Sequence, residues 1–432
     1  MTAALQDRPA GAAPTGQQMR IVLFHINPIE WPGGCEKYFA DLARGLSEQG
    51  QQVVLAGSSH LYHLLMCAVY TVFNAVSGNG FHLVRPGTYP TRDLGAVPVE
   101  RVRLAHLFPF MPAGRRFRAM LHRADVIYSK NEWTDLVVLR FFLPRKLMDK
   151  VVIGAHSSIF LDGPTARTLF GRIHNLLYRG RFYRRQMREC GAVHCPNKPD
   201  AELIVEQYGV PPQKVCFIPY QLEEKVVTET PLREDEDRAP LRLLFAQRLT
   251  QQKGLDYFVE LAAALDASPH ARDVRFTIAG ALNGSFGSLA LEAAERFPNV
   301  TFRGFVSDMD ALYAEHDVVV VPSRWETFSY VVLEAQAAER PVIAFDIPGP
   351  NGIVVDGETG WLAPLGDVAA LRDVVLRLIE QRRRDPALLQ AMGRRGRELA
   401  LARFGKQTII RQQIAFLASV AARRAQEPRQ AA

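Results

Sequence analysis

What most restricts the fold of this chain is a twice-repeated alternation of short, β-branched apolar runs with helix-length amphipathic stretches. RIVLFHI (residues 20–26), VVLAGS, ADVIYS, KVVIGAH, GAVHCP and KVCFIPY (214–220) read as strands of one series. LRLLFAQ (241–247), VRFTIAG, NVTFRGFV, DVVVVPS and RPVIAFDI make a second. Runs so short and so continuously apolar are covered on both faces, and helical crossovers return the chain for parallel pairing. Two doubly wound α/β domains follow from that pattern. Between them QLEEKVVTETPLREDEDRAP is acidic, proline-bounded and without a core-forming period, so it reads as a linker. The expected division is a disordered tail (1–19), a first Rossmann-like domain (20–220), the linker (221–240) and a second Rossmann-like domain (241–405). A C-terminal helix and tail (406–432) return toward the first domain. Ligands of such folds bind at the carboxyl ends of the strands, here in a cleft between two sheets.

Composition narrows the class. With 432 residues, 48% hydrophobic and 22% charged, the chain can bury large cores without disulfides, which excludes disordered, collagen-like and small stapled proteins. Five cysteines with no CxxC or zinc-like spacing read as reduced thiols of a cytoplasmic protein. The first residues lack the basic-then-apolar layout of a signal peptide. The longest apolar stretch, residues 61–76, is broken by His63 and Asn74 and falls short of the ~20 residues that cross a bilayer, so it reads as a buried helix. The net charge of +7 is uneven: residues 20–189 hold 23 basic and 12 acidic residues, a net +11, and residues 191–432 hold 28 against 32, a net −4. The first half is therefore suited to an anionic partner or the inner face of a membrane. Its charge is concentrated in RRFRAMLHR (115–123) and in residues 167–188, where arginines alternate with Leu, Phe, Ile and Tyr. Such a helix lies on an anionic surface, or packs its apolar side into the domain; a soluble phosphorylated acceptor also suits the charge.

No GxxxxGK[ST], GxGxxG or GxSxG occurs, so neither a P-loop ATPase, a standard dinucleotide enzyme nor an α/β-hydrolase is supported. Arg248 and Lys253 flank a short loop at the carboxyl end of the second series' first strand. They suit a diphosphate clamp, or are solvated loop charges. In PSRWETFSYVVLEAQA, Glu326 lies in a loop and Glu334 eight positions on. A helix starting near Phe328 or Ser329 puts Glu334 ~9 Å along its axis, with free amides between the two carboxylates. A ligand with two hydroxyl-rich ends and a central diphosphate, a nucleotide sugar, fits that layout. Alternatively Glu326 is an acidic residue near a helix start and Glu334 a solvated position. Asp308-Met-Asp310 spells the DxD of metal-dependent sugar transfer, but before an amphipathic helix it reads as a cap, and no metal is assigned.

The stretch FAQRLTQQKGLDYF, then TIAG, then VTFRGFVSDMDALYAEHDVVVVPSRWETFSYVVLEAQAAERPVIAFDIPGPNGIVVDGETGWLAP resembles glycosyltransferase family 4, retaining enzymes of the GT-B fold. Pro32-Gly33-Gly34-Cys35-Glu36 is similar to that family's first glycine-rich turn, and VVIGAHSS to its strand ending in histidine. The resemblance implies that Arg248 and Lys253 bind the donor diphosphate, Glu334 the ribose and Glu326 the donor sugar. It implies backbone contacts from Phe328, Ser329 and Tyr330 to sugar and phosphate, and from near Val306 to the base. Gly33 and Gly34 would let the first domain approach the diphosphate, and His156 would stand near the transferred sugar and acceptor. Its alternative is a satisfied histidine at a strand end. Four positions depart from the family pattern: Gln247 and Ser329 replace glycines, Pro348-Gly349-Pro350-Asn351-Gly352 lacks a common glutamate, and Tyr220-Gln221 replaces Asn-Gly.

The implied activity is retaining hexosyl transfer from a nucleotide-diphosphate sugar to a glycan or lipid-linked glycan, in cell-surface polysaccharide synthesis, without metal or other cofactor. No first-domain carboxylate stands out as a covalent nucleophile, which favours a front-face reaction. The rivals are a nucleotide-sugar epimerase, a phosphorylase (which needs a lysine-bound pyridoxal phosphate that nothing in the sequence calls for) and a non-catalytic nucleotide-sugar-binding regulator.

Overall fold

Two all-parallel sheets, each with helices packed against it, organise the computed structural model of the chain, which describes residues 18–25, 34–58, 97–102, 110–156, 169–223, 240–282 and 284–426. The expected N-terminal tail up to residue 17, the helix at 61–76, Gly33 and linker residues 224–239 lie outside the described residues. The chain divides into two units, one running to Gln221 and resuming at Lys406, the other spanning Leu222–Gly405.

In the first unit the strands β1 (Arg20–His25), β2 (Gln52–Ser58), β3 (Val99–Val102), β4 (Val126–Lys130), β5 (Val151–Gly154), β6 (Ala192–Cys195) and β7 (Val215–Phe217) pair in the order β3-β2-β1-β4-β5-β6-β7. The order reverses between β1 and β4, which pair Ile21 with Val126 and Phe24 with Ser129. The helices are α1 (Gly34–Glu48), α2 (Pro112–Arg123), α3 (Trp133–Phe142), α4 (Leu169–Arg179), α5 (Arg181–Glu189) and α6 (Lys198–Tyr208). Val22, Phe24, Phe117, Leu136, Leu139, Ile153 and Val193 belong to one buried core. β3, only four residues long, is a strand the apolar pattern does not reveal, because in VERV two adjacent charged residues separate the valines and leave neither an apolar run nor an alternation. The basic stretch 167–188 is not one helix: Gly180, extended at φ −65° and ψ 157°, separates α4 from α5.

In the second unit β8 (Leu241–Ala246), β9 (Val274–Ala279), β10 (Val300–Gly304), β11 (Val318–Val321), β12 (Val342–Phe345) and β13 (Gly360–Ala363) pair in the order β10-β9-β8-β11-β12-β13, with the reversal between β8 and β11. Its helices are α7 (Leu255–Asp266), α8 (Gly284–Arg296), α9 (Met309–Ala314), α10 (Tyr330–Ala337), α11 (Val368–Arg384) and α12 (Leu388–Phe404). β11 is four consecutive fully buried valines, the signature of a strand covered on both faces. β13, another strand the sequence pattern misses, pairs on the far edge with β12.

The last helix, α13 (Lys406–Gln426), belongs to the first unit. Its Gln413 is fully buried and donates to the Tyr38 hydroxyl at 3.0 Å, and Lys406 pairs with Glu48 at 2.9 Å. No helix among the described residues is long and apolar enough to cross a membrane.

Lys150 shows how the first unit satisfies a buried charge. It is fully buried, and its ammonium donates to the carbonyls of Leu121, His122 and Ala124 at 2.7, 3.0 and 3.1 Å. These are carbonyls at the end of α2, where a cation also complements the helix dipole. Lys150→Met keeps the stem and strands the carbonyls, so urea unfolding should show a loss of ~1–3 kcal/mol; an unchanged midpoint would refute this account.

Candidate functional site

In the second unit the reversal of strand order opens the carboxyl ends of β8 and β11 to the same side, the place where doubly wound sheets bind ligands. Gln247 and Arg248 follow β8; Pro322, Ser323 and Glu326 follow β11. Arg248 is exposed and donates to the Gln252 amide oxygen at 3.3 Å. Gln252 in turn donates to the Trp325 carbonyl at 3.2 Å, tying the loop after β8 to the loop after β11. Lys253 donates to Glu326 Oε1 at 2.5 Å, and Glu326 is only 8% exposed.

Backbone geometry makes this meeting feasible. Gly254 has φ +71°, and a Cβ there would fall 1.8 Å from the Pro322 carbonyl oxygen, so only glycine lets the start of α7 approach the end of β11. Gly349 has φ +95° and sits against the Glu326–Phe328 loop, its notional Cβ 2.9 Å from Glu326 Cβ. Arg324 anchors the same loop: it grips Asp256 with two hydrogen bonds and lies 4.0 Å over the Tyr257 ring.

α10 begins at Tyr330 with Ser329 as its N-cap, later than the expected start near Phe328 or Ser329. The reason is local: Ser329 is extended, φ −114° and ψ 99°, so Glu334 stands about 6 Å along the axis rather than ~9 Å. The first turn's N–H groups and the positive end of the dipole face outward from residues 329–332. Phe328 and Ser329 are buried, and Tyr330 is half-buried. Glu334 is half-buried, as is Val331. The carboxylate of Glu334 adds to burial in pushing the Tyr313 phenol well above its ordinary pKa. Val306, half-buried, follows β10. Asp308 caps α9 by accepting from the Ala311 N–H at 3.0 Å.

The first unit carries its own polar cluster at the carboxyl ends of its strands. His156 lies just beyond β5, 8% exposed, with Nε2 2.8 Å from the Tyr128 hydroxyl and Nδ1 2.7 Å from the Tyr220 hydroxyl. Burial, then the neighbouring His194, holds its pKa well below 6.5, so the ring is neutral. Gly154 makes room for it, since a Cβ there would be 2.2 Å from His156 Nε2 and 2.6 Å from the Tyr128 oxygen. Gly34 opens α1 and is exposed.

Sequence reasoning missed a second group, at the β1/β4 reversal. His25, the last residue of β1, is fully buried with Nδ1 3.1 Å from Asp135 and Nε2 3.5 Å from Glu36. Lys130, the last residue of β4, pairs with Glu132 at 2.8 Å. Burial alone would lower the His25 pKa, but Asp135 and Glu36 raise it to about 9. Against burial, the His25 hydrogen bond and Lys130 hold Glu36 at about 2. Carboxylates do therefore stand at the first unit's strand ends, each already engaged by a cation. The available signal was strand-end position: His25 is the penultimate residue of the predicted strand RIVLFHI, and Lys130 directly follows ADVIYS.

Two family models match the chain, "Glycosyl transferase 4-like domain" over residues 33–221 and "Glycosyl transferases group 1" over residues 240–381. An alpha-D-kanosaminyltransferase of Streptomyces kanamyceticus is 28% identical over 281 residues, 61% of this chain and 69% of that protein. A D-inositol 3-phosphate glycosyltransferase of Pseudarthrobacter chlorophenolicus is 26% identical over 410 residues, 88% of this chain and 90% of that protein. Among solved structures, Anabaena HepE in complex with UDP and glucose superposes with TM-score 0.65 at 18% identity, covering 93% of this chain and all of that one.

His25 gives a pH test. Its pKa is higher folded (about 9) than the ordinary 6.5, so its contribution to stability is complete below pH 6.5 and lost as pH rises through 9. Melting at pH 6 and pH 9.5 should show a fall in the wild type that is smaller in His25→Gln; equal falls would mean that His25 is not the titrating group.

Proposed function

Because the chain belongs to the family 4 type of glycosyltransferases, with the GT-B fold, we propose that it moves a hexose from a nucleotide-diphosphate sugar to a hydroxyl of a glycan or lipid-linked glycan. In this reading the anomeric configuration is retained and the product enters cell-surface polysaccharide. The observation that carries the assignment of the donor site is the Lys253–Glu326 pair beside exposed Arg248, at the β8/β11 reversal.

Each residue then has a task its chemistry allows. Arg248 offers paired N–H donors to the diphosphate, and Lys253, one proton of which serves Glu326, has two left for phosphate oxygens. Glu326 Oε1 accepts from Lys253 and from the Ser323 hydroxyl at 3.0 Å, leaving Oε2 to accept a sugar hydroxyl. Glu334 meets the ribose, and the backbone near Val306 meets the base. Phe328, Ser329 and Tyr330 present backbone to sugar and phosphate. As the anomeric carbon–phosphate bond breaks, its electron pair stays on the leaving diphosphate. Arg248, Lys253 and the first turn of α10 stabilise that charge. The acceptor oxygen bonds the anomeric carbon on the same face, and its proton passes to a phosphate oxygen of the leaving group. His156, with both nitrogens engaged by phenols, acts as a fixed neutral ring rather than a proton carrier. The proposal includes no metal, since these cations supply the charge and Asp308 is occupied by its cap.

Arg248→Ala or Lys253→Ala should lower turnover ~100-fold, with or without EDTA. Glu334→Ala should weaken binding of UDP, the nucleotide held by the Anabaena protein, measured by thermal shift. Glu326→Ala should keep UDP affinity, because it frees Lys253, yet abolish sugar transfer. Equal UDP losses in both glutamate variants would invert the proposed polarity of the site.

For the acceptor we propose a membrane-proximal glycan reached from the cytoplasmic face, with the first unit on the anionic surface. Phe110 and Met111 are 73% and 39% exposed at the start of α2, ahead of exposed Arg115, Arg116, Arg118 and Arg123. An open groove of about 730 Å³ beside α2 is lined by Arg20, Arg115, Arg116 and Arg123 over Val22 and Val54. On α4, Leu176 is 72% exposed between Arg172 and Arg179. Each arginine near an anionic surface contributes ~1 kcal/mol. The protein should float with phosphatidylglycerol vesicles at low salt and release at high salt; failure to float would favour a soluble phosphorylated acceptor.

A further inference from the structure

Gln247 stands where the family that this sequence resembles usually has glycine, so its side chain is an addition to the site relative to that pattern. It follows β8, is 7% exposed, and its amide reaches across the β8/β11 reversal to Ser323 Oγ, 3.3 Å away. Ser323 Oγ is also 3.0 Å from Glu326 Oε1, which Lys253 holds. As placed, the carbonyl oxygen Oε1 of Gln247 faces Ser323 Oγ, and the other end of the amide, Nε2, is buried with no partner. A buried polar atom left so is destabilising, which a ligand-binding residue tolerates because the ligand supplies the partner.

The pattern of protons decides what that partner is. A carboxylate only accepts, so the single Ser323 proton goes to Glu326. Ser323 Oγ can then only accept from Gln247, which must turn its NH2 toward it. The two ends of an amide are alike in size, and the network assigns them. The end without a partner is therefore the carbonyl oxygen. An acceptor there cannot serve a diphosphate, which has no proton to give; it requires a hydroxyl.

We propose that Gln247 is a specificity residue whose side-chain carbonyl accepts a hydroxyl of the donor's sugar, beside the one taken by Glu326. This rests on the donor-site reading above. Two adjoining acceptors held through one serine select a hexose with hydroxyls at neighbouring positions, and a deoxy sugar at one of them loses a bond.

The test compares wild type with Gln247→Met, similar in length and without an amide, using the preferred nucleotide sugar, its monodeoxy analogues and UDP. Expected are a roughly tenfold or greater fall in kcat/KM for the full sugar, unchanged UDP affinity, and one deoxy analogue on which both proteins perform equally. The melting temperature should hold or rise, because the orphan atom is removed. Equal kcat/KM on every sugar would overturn the proposal, as would a matching loss of UDP affinity or a lower melting temperature with intact kinetics. Lys253→Ala separates the two levels of the argument: if it leaves UDP binding intact, the donor-site reading itself fails, whatever Gln247→Met does.

Discussion

The reversal of strand order within each sheet is the constraint on which the rest of this molecule depends. Parallel strands need crossovers, and where successive crossovers leave in opposite directions the chain ends part and backbone groups face an open crevice. Charged side chains collect there in both units: His25 and Lys130 at β1/β4, Arg248, Lys253 and Glu326 at β8/β11. Elsewhere the sheets are nearly pure apolar surface, so charge has little other place to sit without paying for desolvation.

The two crevices treat charge differently. In the first unit's crevice the ions satisfy one another: buried His25 lies between Asp135 and Glu36, and half-buried Glu132 between Lys130 and the Tyr178 hydroxyl. Removing one partner there would strand the other, which makes the cluster rigid rather than available. In the second unit Arg248 is exposed, Lys253 has spare protons and Glu326 has a spare oxygen. Ions so paired fix geometry; accessible ones bind and stabilise developing charge.

How much of this the sequence disclosed follows from the range of each interaction. Strands such as DVVVVPS, and the cations after β8, are local patterns, and so is the Asp308 cap, which uses a partner three residues on. β3 escapes because two adjacent charged residues separate its valines, and β13 because the glycine that opens GWLA and the proline after it read as a loop. The late start of α10 depends on one extended serine, and the closure of His156 joins residues 28 and 64 positions away. Contacts at that separation leave no trace in periodicity. Gly154 is the exception in hindsight: a glycine inside a buried strand marks close approach, here by an imidazole and a phenol.

The departures from the family pattern become coherent once contacts replace positions. Tyr220, in place of the usual asparagine, supplies the hydroxyl that engages the second nitrogen of His156. Gly349, in the loop without its common glutamate, packs its backbone against Glu326 and Phe328. Gln247, in place of glycine, shares Ser323 with Glu326. Tyr220 and Gly349 touch, and Gln247 reaches through Ser323, residues that the resemblance assigns to the sugar, while Arg248 and Lys253 are unaltered; Ser329 stands among the backbone groups assigned to sugar and phosphate alike. Under the proposed donor site, substitutions beside the sugar-facing residues leave the two cations in place and alter which hydroxyls are met. Loss of activity would have required no such pattern, since damage to either cation suffices. Under the proposed donor site, three of the four departures therefore fit a change in the sugar accepted better than a loss of activity.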